Sequence, residues 1–361
     1  MKTVENETLF NLIVYSTIKG GMAVDMKQKT AYIVTGAAGH LGRTIVHMLN
    51  EQGCPVYALC LPGEAHVPAW ENVKIFQGDV RDIGSLIAMF EACAKAFAQV
   101  TVIHCAAIVS IASGFSQQVY DVNVGGTKNI LSLCEKFAVD KLIYISSVHA
   151  IPELPAGETI TEVAYFSPDN VVGLYAKTKA EATRCVAEYM SRGYHANVVH
   201  PSGIVGPGDF GRGHITQLII DYYSGKLKVA INGGYDFVDV RDVAAGVLAC
   251  EKQGKAGEFF ILSGRYYKVY ELLDLLHNIT GKKKIKGVLP LWLAKFTAPL
   301  SELYYKILRQ PPLFTAYSIY TLNTNGNFSH AKAARELGYT VRPMEETLRD
   351  TLAWLGEEKR L

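Results

Sequence analysis

The feature that most constrains this chain is the run AYIVTGAAGHLG at residues 31–42. Tyr32, Ile33 and Val34 form a short apolar strand that stops at Thr35. Gly36, Gly39 and Gly42 follow at GxxGxxG spacing, and residues 44–49 then take up a helical pattern. Glycine admits backbone dihedrals closed to other residues and lets a pyrophosphate approach the main chain, while the open amides at the helix start attract an anion. Ordinary strand-to-helix turns share this spacing, so its weight comes from the βαβ unit around it.

That unit repeats. Strands are expected at 31–35, 55–61, 73–77, 100–105, 141–146 and 196–200, and helices at 40–52, 83–94, about 119–137 and 171–191. Such alternation predicts an α/β fold, a doubly wound parallel sheet of Rossmann type with helices on both faces. In such sheets ligands bind outside the carboxyl ends of the strands, which makes the residues just after each strand the functional candidates. Three segments are expected: an N-terminal extension (1–29), a dinucleotide-binding domain (30–200, rejoined by about 237–250), and a smaller, discontinuous substrate lobe (201–361). The lobe opens on the glycine- and proline-rich run GIVGPGDFGRGH, a loop over the cleft or a plain solvated connection. Helices at 268–280 and 332–337 lie within it.

With 49% hydrophobic and 19% charged residues over 361 positions, the chain reads as compact and ordered. A net charge of +2 offers nucleic acid no electrostatic footprint, so a small-molecule substrate is expected. Seven scattered cysteines without a CxxC pair and ten histidines without HExxH spacing predict reduced thiols and no metal. No apolar stretch reaches the roughly 18 residues of a spanning helix. Residues 9–18 follow Glu5 and Glu7 and make a poor signal peptide, so a cytoplasmic protein without an integral membrane segment is expected.

Tyr175 and Lys179 stand four apart in LYAKTKAEA, inside an expected helix, which puts phenol and ammonium on one face. A nearby cation lowers a phenol's pKa toward the range where it exchanges protons. Lys177, two positions along, faces away and reads as a solvated charge. Ser146 and Ser147 close the strand LIYIS at the crevice edge, where a hydroxyl can hold a substrate oxygen.

The set TGAAGHLG, Gly78-Asp79-Val80, His104-Cys105-Ala106-Ala107, VNVGGTKNI, ISSVHA, YAKTKAEA, HPSGIVGPGD and FVDVRDVA resembles the extended short-chain dehydrogenase/reductase family over about residues 30–250. The tail LNTNGNFSHAKAARELGY resembles that family's closing segment. The resemblance implies Tyr175 as acid/base, Lys179 as its activator and ribose ligand, and Ser147 as substrate-oxygen partner, with Ser146 second. It implies a pyrophosphate loop at Gly36, Gly39, His40, Leu41 and Gly42, adenine neighbours at Asp79 and Val80, and a groove floor at Ala106 and Ala107. Asn123 takes the position that shapes the active-site helix, and Pro201 and Ser202 the segment beside the nicotinamide amide. Asp239 and Arg241 match positions near the lobe boundary, where an ion-paired surface is an equally fair reading. A homodimer through two helices of the first lobe is also implied.

The cofactor is NAD or NADP. The second strand ends Ala58-Leu59-Cys60-Leu61-Pro62, with neither the acid that grips a ribose nor the base that suits a phosphate. The absent base leans toward NAD, with Glu64 and Arg43 as nearby charges. Sugar-dehydrating relatives carry Thr-Asp-Glu where this chain has Ser147-Val148-His149, which disfavours water elimination. An alcohol/ketone oxidoreductase is expected, resembling the dihydroflavonol-reductase and 3β-hydroxysteroid-dehydrogenase branches. A nucleotide-sugar epimerase using the same triad and a non-catalytic dinucleotide sensor are the alternatives. The apolar stretches VSIASGFSQ and VLPLWLAKFTAPLSELYYKIL line a greasy pocket or serve as core or dimer packing.

Overall fold

The computed structural model describes residues 30–64, 67–111, 114–211, 213–291, 293 and 316–361. The expected N-terminal extension and most of the apolar stretch at 288–308 lie outside them. The first six strands are β1 (Thr30–Thr35), β2 (Val56–Cys60), β3 (Val73–Gln77), β4 (Gln99–His104), β5 (Lys141–Ile145) and β6 (Ala196–Pro201). Then come β7 (Gly203–Val205), β8 (Val229–Ile231), β9 (Gly234–Asp239), β10 (Phe259–Leu262) and β11 (Arg265–Lys268). Among the described residues seven of these form one sheet in the order β3-β2-β1-β4-β5-β6-β10, every pairing parallel.

Alternation along β1 explains the two layers. Ala31 and Ile33 point into one core, Tyr32 and Val34 into the other, because successive side chains leave a strand on opposite faces. Helices His40–Glu51 and Val240–Gln253 cover the second face with Leu41, Ile45, Leu49, Val243 and Val247. Helices Ile83–Ala96, Thr127–Lys136 and Leu174–Ser191 cover the first. With both faces buried, the strands read as continuous apolar runs.

Three differences from the expected elements have local causes. The helix expected at about 119–137 is an α-turn (Gln117–Tyr120), a wider π-turn (Asp121–Gly126) and a second α-helix (Thr127–Lys136). Gly126 closes the π-turn against Val80, where a Cβ would lie 2.6 Å from that side chain. The helix expected from residue 171 begins at Leu174, because Gly173 takes φ +95°, outside the helical region. The third is β10, a short apolar run from the segment assigned by sequence to the smaller lobe, which pairs with β6 as the outer strand of the main sheet. A further core gathers around β9 and helices Val269–Thr280 and Met344–Glu357, and it takes in Val148, Ile151, Ala176 and Ala180 from the segments beside the main sheet. Among the described residues no helix is long and apolar enough to cross a membrane.

Candidate active site

The parallel register brings the candidate residues to one edge. Thr35 stands level with Leu59 and His104, His104 with Tyr144, and Ile145 with Val199. The segments that follow these strands therefore meet along one crevice: the glycine turn, Asp79 and Val80, Ala106 and Ala107, Ser146 and Ser147, Pro201 and Ser202. It spans the gap between β1 and β4, where the strand order reverses.

The glycine turn leaves no room for side chains. Gly36 has φ +65°, and a Cβ there would sit 2.8 Å from the Ala106 nitrogen; one at Gly42 would lie 2.1 Å from the Gly36 oxygen. Gly39 caps helix His40–Glu51 with no side-chain hydrogen bond and no acid in the first turn, so its leading N–H groups keep their pull on an anion. The His40 Nε2 donates to the Pro207 carbonyl at 3.0 Å, which anchors the glycine- and proline-rich run over the turn. Leu41 is buried in the core. Asp79 is held by Arg81 through Oδ1 and Oδ2 (2.6–3.1 Å), and Val80 is clamped by a bond from Asn129 to its carbonyl (2.8 Å). These residues fit a dinucleotide: a close-approach turn, an open helix start and a groove floor of two alanines.

Tyr175 lies in the first turn of helix Leu174–Ser191, with Lys179 one turn on; both are buried, while Lys177 is exposed. The Ser147 hydroxyl accepts from the His149 N–H (3.2 Å), and its side chain is close enough to favour the ionised Tyr175 phenol. Ser146 turns elsewhere, to Thr183 at 2.6 Å. The expected lowering of the phenol by Lys179 is corrected here. Burial pushes Tyr175 up to about 12, and the neighbouring Ser147 side chain opposes it only in part. The Lys179 ammonium donates instead to the Ile145 carbonyl (2.6 Å) and the Tyr144 hydroxyl (3.4 Å), and burial pulls it down to about 7.

Asn123 sits in the π-turn with its amide spent. Its Oδ1 accepts from the Ile108 N–H (2.8 Å), and its Nδ2 donates to the Ile108 carbonyl (3.1 Å) and to Thr178 Oγ1 (3.0 Å). It thus ties the loop after β4 to the helix that carries Tyr175. A second chain of bonds, not foreseen from sequence, runs through His104. Thr127 Oγ1 donates to the Asn123 carbonyl (2.7 Å), so it accepts from the His104 Nε2 (3.1 Å). Burial keeps that imidazole neutral, so its Nδ1 accepts from Thr35 Oγ1 (2.7 Å), which itself accepts from the Ala106 N–H (3.2 Å). The groove floor and the π-turn are braced by one oriented relay.

Asp239 and Arg241 stand apart from this edge. Asp239 caps helix Val240–Gln253 and binds the Arg241 guanidinium (2.7 and 2.9 Å), whose other nitrogen reaches Asp350 (2.7 Å). The ion-paired reading holds, with the correction that Asp239 is buried. Residues that sequence reasoning did not place at the site are Tyr235 and Tyr317, both beside His149. His200, a strand-end candidate from the sequence, stands here too: its Nδ1 donates to the Ser147 carbonyl at 3.0 Å. Among the described residues no group of His, Cys, Asp and Glu is arranged to hold a metal.

A model of the NAD dependent epimerase/dehydratase family matches residues 32–266. The chain belongs to that family. As an epimerase/dehydratase-family protein it is an extended short-chain dehydrogenase/reductase, an NAD(P)-dependent oxidoreductase with a Rossmann sheet. It is 30% identical to sterol demethylase protein B of Methylococcus capsulatus over 331 residues, 90% of this chain and 98% of that protein. It is 28% identical to 3beta-hydroxysteroid-dehydrogenase/decarboxylase isoform 2 of Arabidopsis thaliana over 352 residues, 89% of this chain and 61% of that one. The crystal structure of gox2253 superposes with a TM-score of 0.78 at 28% identity, covering 92% of this chain and 99% of that one.

Proposed function

We propose that this protein interconverts an apolar secondary alcohol and its ketone, with Tyr175 as acid/base, Ser147 holding the reacting oxygen and Lys179 serving the phenol and the ribose. The observation that carries the reading is that Ser147, Tyr175 and Lys179 are all buried at the same sheet edge as the glycine turn, with the Ser147 side chain acting on the Tyr175 phenol. Bound NAD(P) supplies or accepts the hydride; Gly36, Gly39, His40, Leu41 and Gly42 would hold its pyrophosphate. Asp79 and Val80 would flank the adenine, Ala106 and Ala107 the groove floor, and Pro201 and Ser202 the nicotinamide end. Asn123 positions the catalytic helix.

Held above its ordinary value, the Tyr175 phenol keeps its proton at neutral pH, the form that donates to a ketone oxygen in reduction. Ser147 holds that oxygen within reach of the phenol, and Lys179 restores the phenol's charge balance as the proton leaves. A cleft that reaches Ala176, next to Tyr175 in the chain, is lined by Ile151, Ile160, Val171 and Phe328 on an apolar side and by His149, Glu153 and Asn325 on a polar one; the apolar side suits an apolar body. Relatives named for a sterol and a hydroxysteroid support that class. Of the two apolar stretches expected to line the pocket, Val109 and Phe115 are exposed and most of the other lies outside the described residues.

NAD is proposed over NADP. The Glu64 carboxylate closes the turn after β2 by accepting from the Leu61 N–H (2.9 Å), where it would repel an added phosphate. Arg43 is spread over the Phe210 ring at 4.7 Å. Seven free thiols support a reducing cytoplasm, and a homodimer through helices of the sheet layer is proposed from the family; gel filtration tests it.

The deciding experiment is turnover of secondary alcohols and of UDP-sugars with NAD and NADP, for the wild type and Tyr175→Phe. NADH formation from alcohols is expected, reduced in the variant by about 10²–10⁴-fold with nucleotide binding retained by thermal shift. Equal rates in the variant overturn the mechanism, sugar isomerisation without net NADH establishes the epimerase, and nucleotide binding without any turnover establishes the sensor.

A further inference from the structure

Beside Tyr175 stand polar groups that proton transfer does not use. The Tyr235 hydroxyl and the His149 Nε2 lie 2.9 Å apart with their rings stacked at 5.4 Å, and the His149 ring stands edge-on to Tyr175 at 5.9 Å. Tyr317 approaches from a third side, 6.3 Å from the His149 ring. It is only 8% exposed, and its hydroxyl finds no hydrogen-bond partner among the described residues. Burying a phenol unpaired is costly, and this ring has nowhere to turn. A Cβ at Gly173 would lie 2.1 Å from it, and it stacks at 6.4 Å on Tyr320, whose hydroxyl is fixed on Glu153 (2.9 Å).

We infer that Tyr317, together with the His149–Tyr235 pair, binds a second oxygen of the substrate, an acceptor close to the carbon that reacts. The substrate class is then an apolar alcohol or ketone carrying a neighbouring carbonyl-type oxygen. The assignment rests on the oxidoreductase reading, since it takes Tyr175 as the neighbour of the reacting oxygen. A phenol with an unspent O–H demands an acceptor. An imidazole that burial keeps uncharged at neutral pH, with Glu153 at the cleft wall, favours an uncharged one. A plain alcohol leaves the Tyr317 hydroxyl unanswered, so the penalty of its burial becomes discrimination against such substrates.

The test uses two probes of matched shape, methyl 2-hydroxycyclohexane-1-carboxylate and 2-propylcyclohexan-1-ol, with the full-length protein loaded with NAD. Calorimetric affinities are measured for the wild type, Tyr317→Phe and Tyr235→Phe, with a thermal-shift response to NAD confirming that each variant is folded. The wild type is expected to favour the hydroxy ester by at least tenfold, and Tyr317→Phe to erase most of that ratio, with Tyr235→Phe reducing it. A wild type without preference, or a preference kept in Tyr317→Phe, overturns the second contact. Turnover of the same pair decides the other question: a binding preference that depends on Tyr317 without NADH formation removes the hydride-transfer reading and leaves the contact standing.

Discussion

Tyr175 and Lys179 share one helical face, yet each answers mainly to burial: the phenol is pushed up and the ammonium down. The second effect has a measurable sign. The folded-state value of Lys179, about 7, lies below its ordinary value near 10.4, so between those limits the unfolded chain binds more protons. Stability therefore rises with pH across that window and carries the full penalty below it. Lys179→Met is expected to lose this rise, so that midpoints from thermal melts at pH 7, 8 and 9 climb more steeply in the wild type; parallel curves would refute it. The pair itself was legible because four-residue spacing is a local property of a helix. Tyr317 was not, because it meets Gly173 only through the fold, and no local spacing links the two segments.

At the level of elements, the π-turn at Asp121–Gly126 aims Asn123 at both Ile108 and Thr178. Asn123→Leu would strand the Ile108 N–H and carbonyl, at about 1–3 kcal/mol for each group left buried and unpaired. A lowered melting temperature, with Tyr175 mispositioned and kcat falling more than KM rises, is the expected result of melting and steady-state measurements. Sequence periodicity placed a single helix here, because apolar spacing reports which face is buried and not how wide each turn is. By contrast the glycine turn could be read directly: positions 36 and 42 fail with any side chain, a constraint written in residue type alone.

Across the whole molecule, the smaller lobe is fastened by buried charge. Asp239 and Asp242 on one side meet Arg342 on the other, with Asp242 accepting from the Arg342 backbone (2.8 Å) and Nε (2.9 Å). Arg342→Met leaves the Asp242 carboxylate uncompensated, while Asp239 keeps Arg241, and is expected to cost toward the low end of the ~3–5 kcal/mol typical of breaking a buried pair, by chemical denaturation. Burial raises the Asp239 carboxyl, but Arg241 more than reverses it and holds it below its ordinary value. Its contribution is thus complete above the ordinary aspartate range and is lost as pH falls through the lowered value. Acid melts should show the wild type and an Arg241→Met variant converging there. Sequence placed these residues near the lobe boundary without showing that their partners arrive from beyond residue 340.

The chain leaves the main sheet after β6 and returns with β10, whose partner strand β6 lies just inside it. Any expression fragment that stops in the 254–257 turn would carry an open row of β6 backbone groups along a strand that is buried in the whole protein. Such a shortened product is expected to clump through edge pairing, while one that continues past residue 340 stays dispersed.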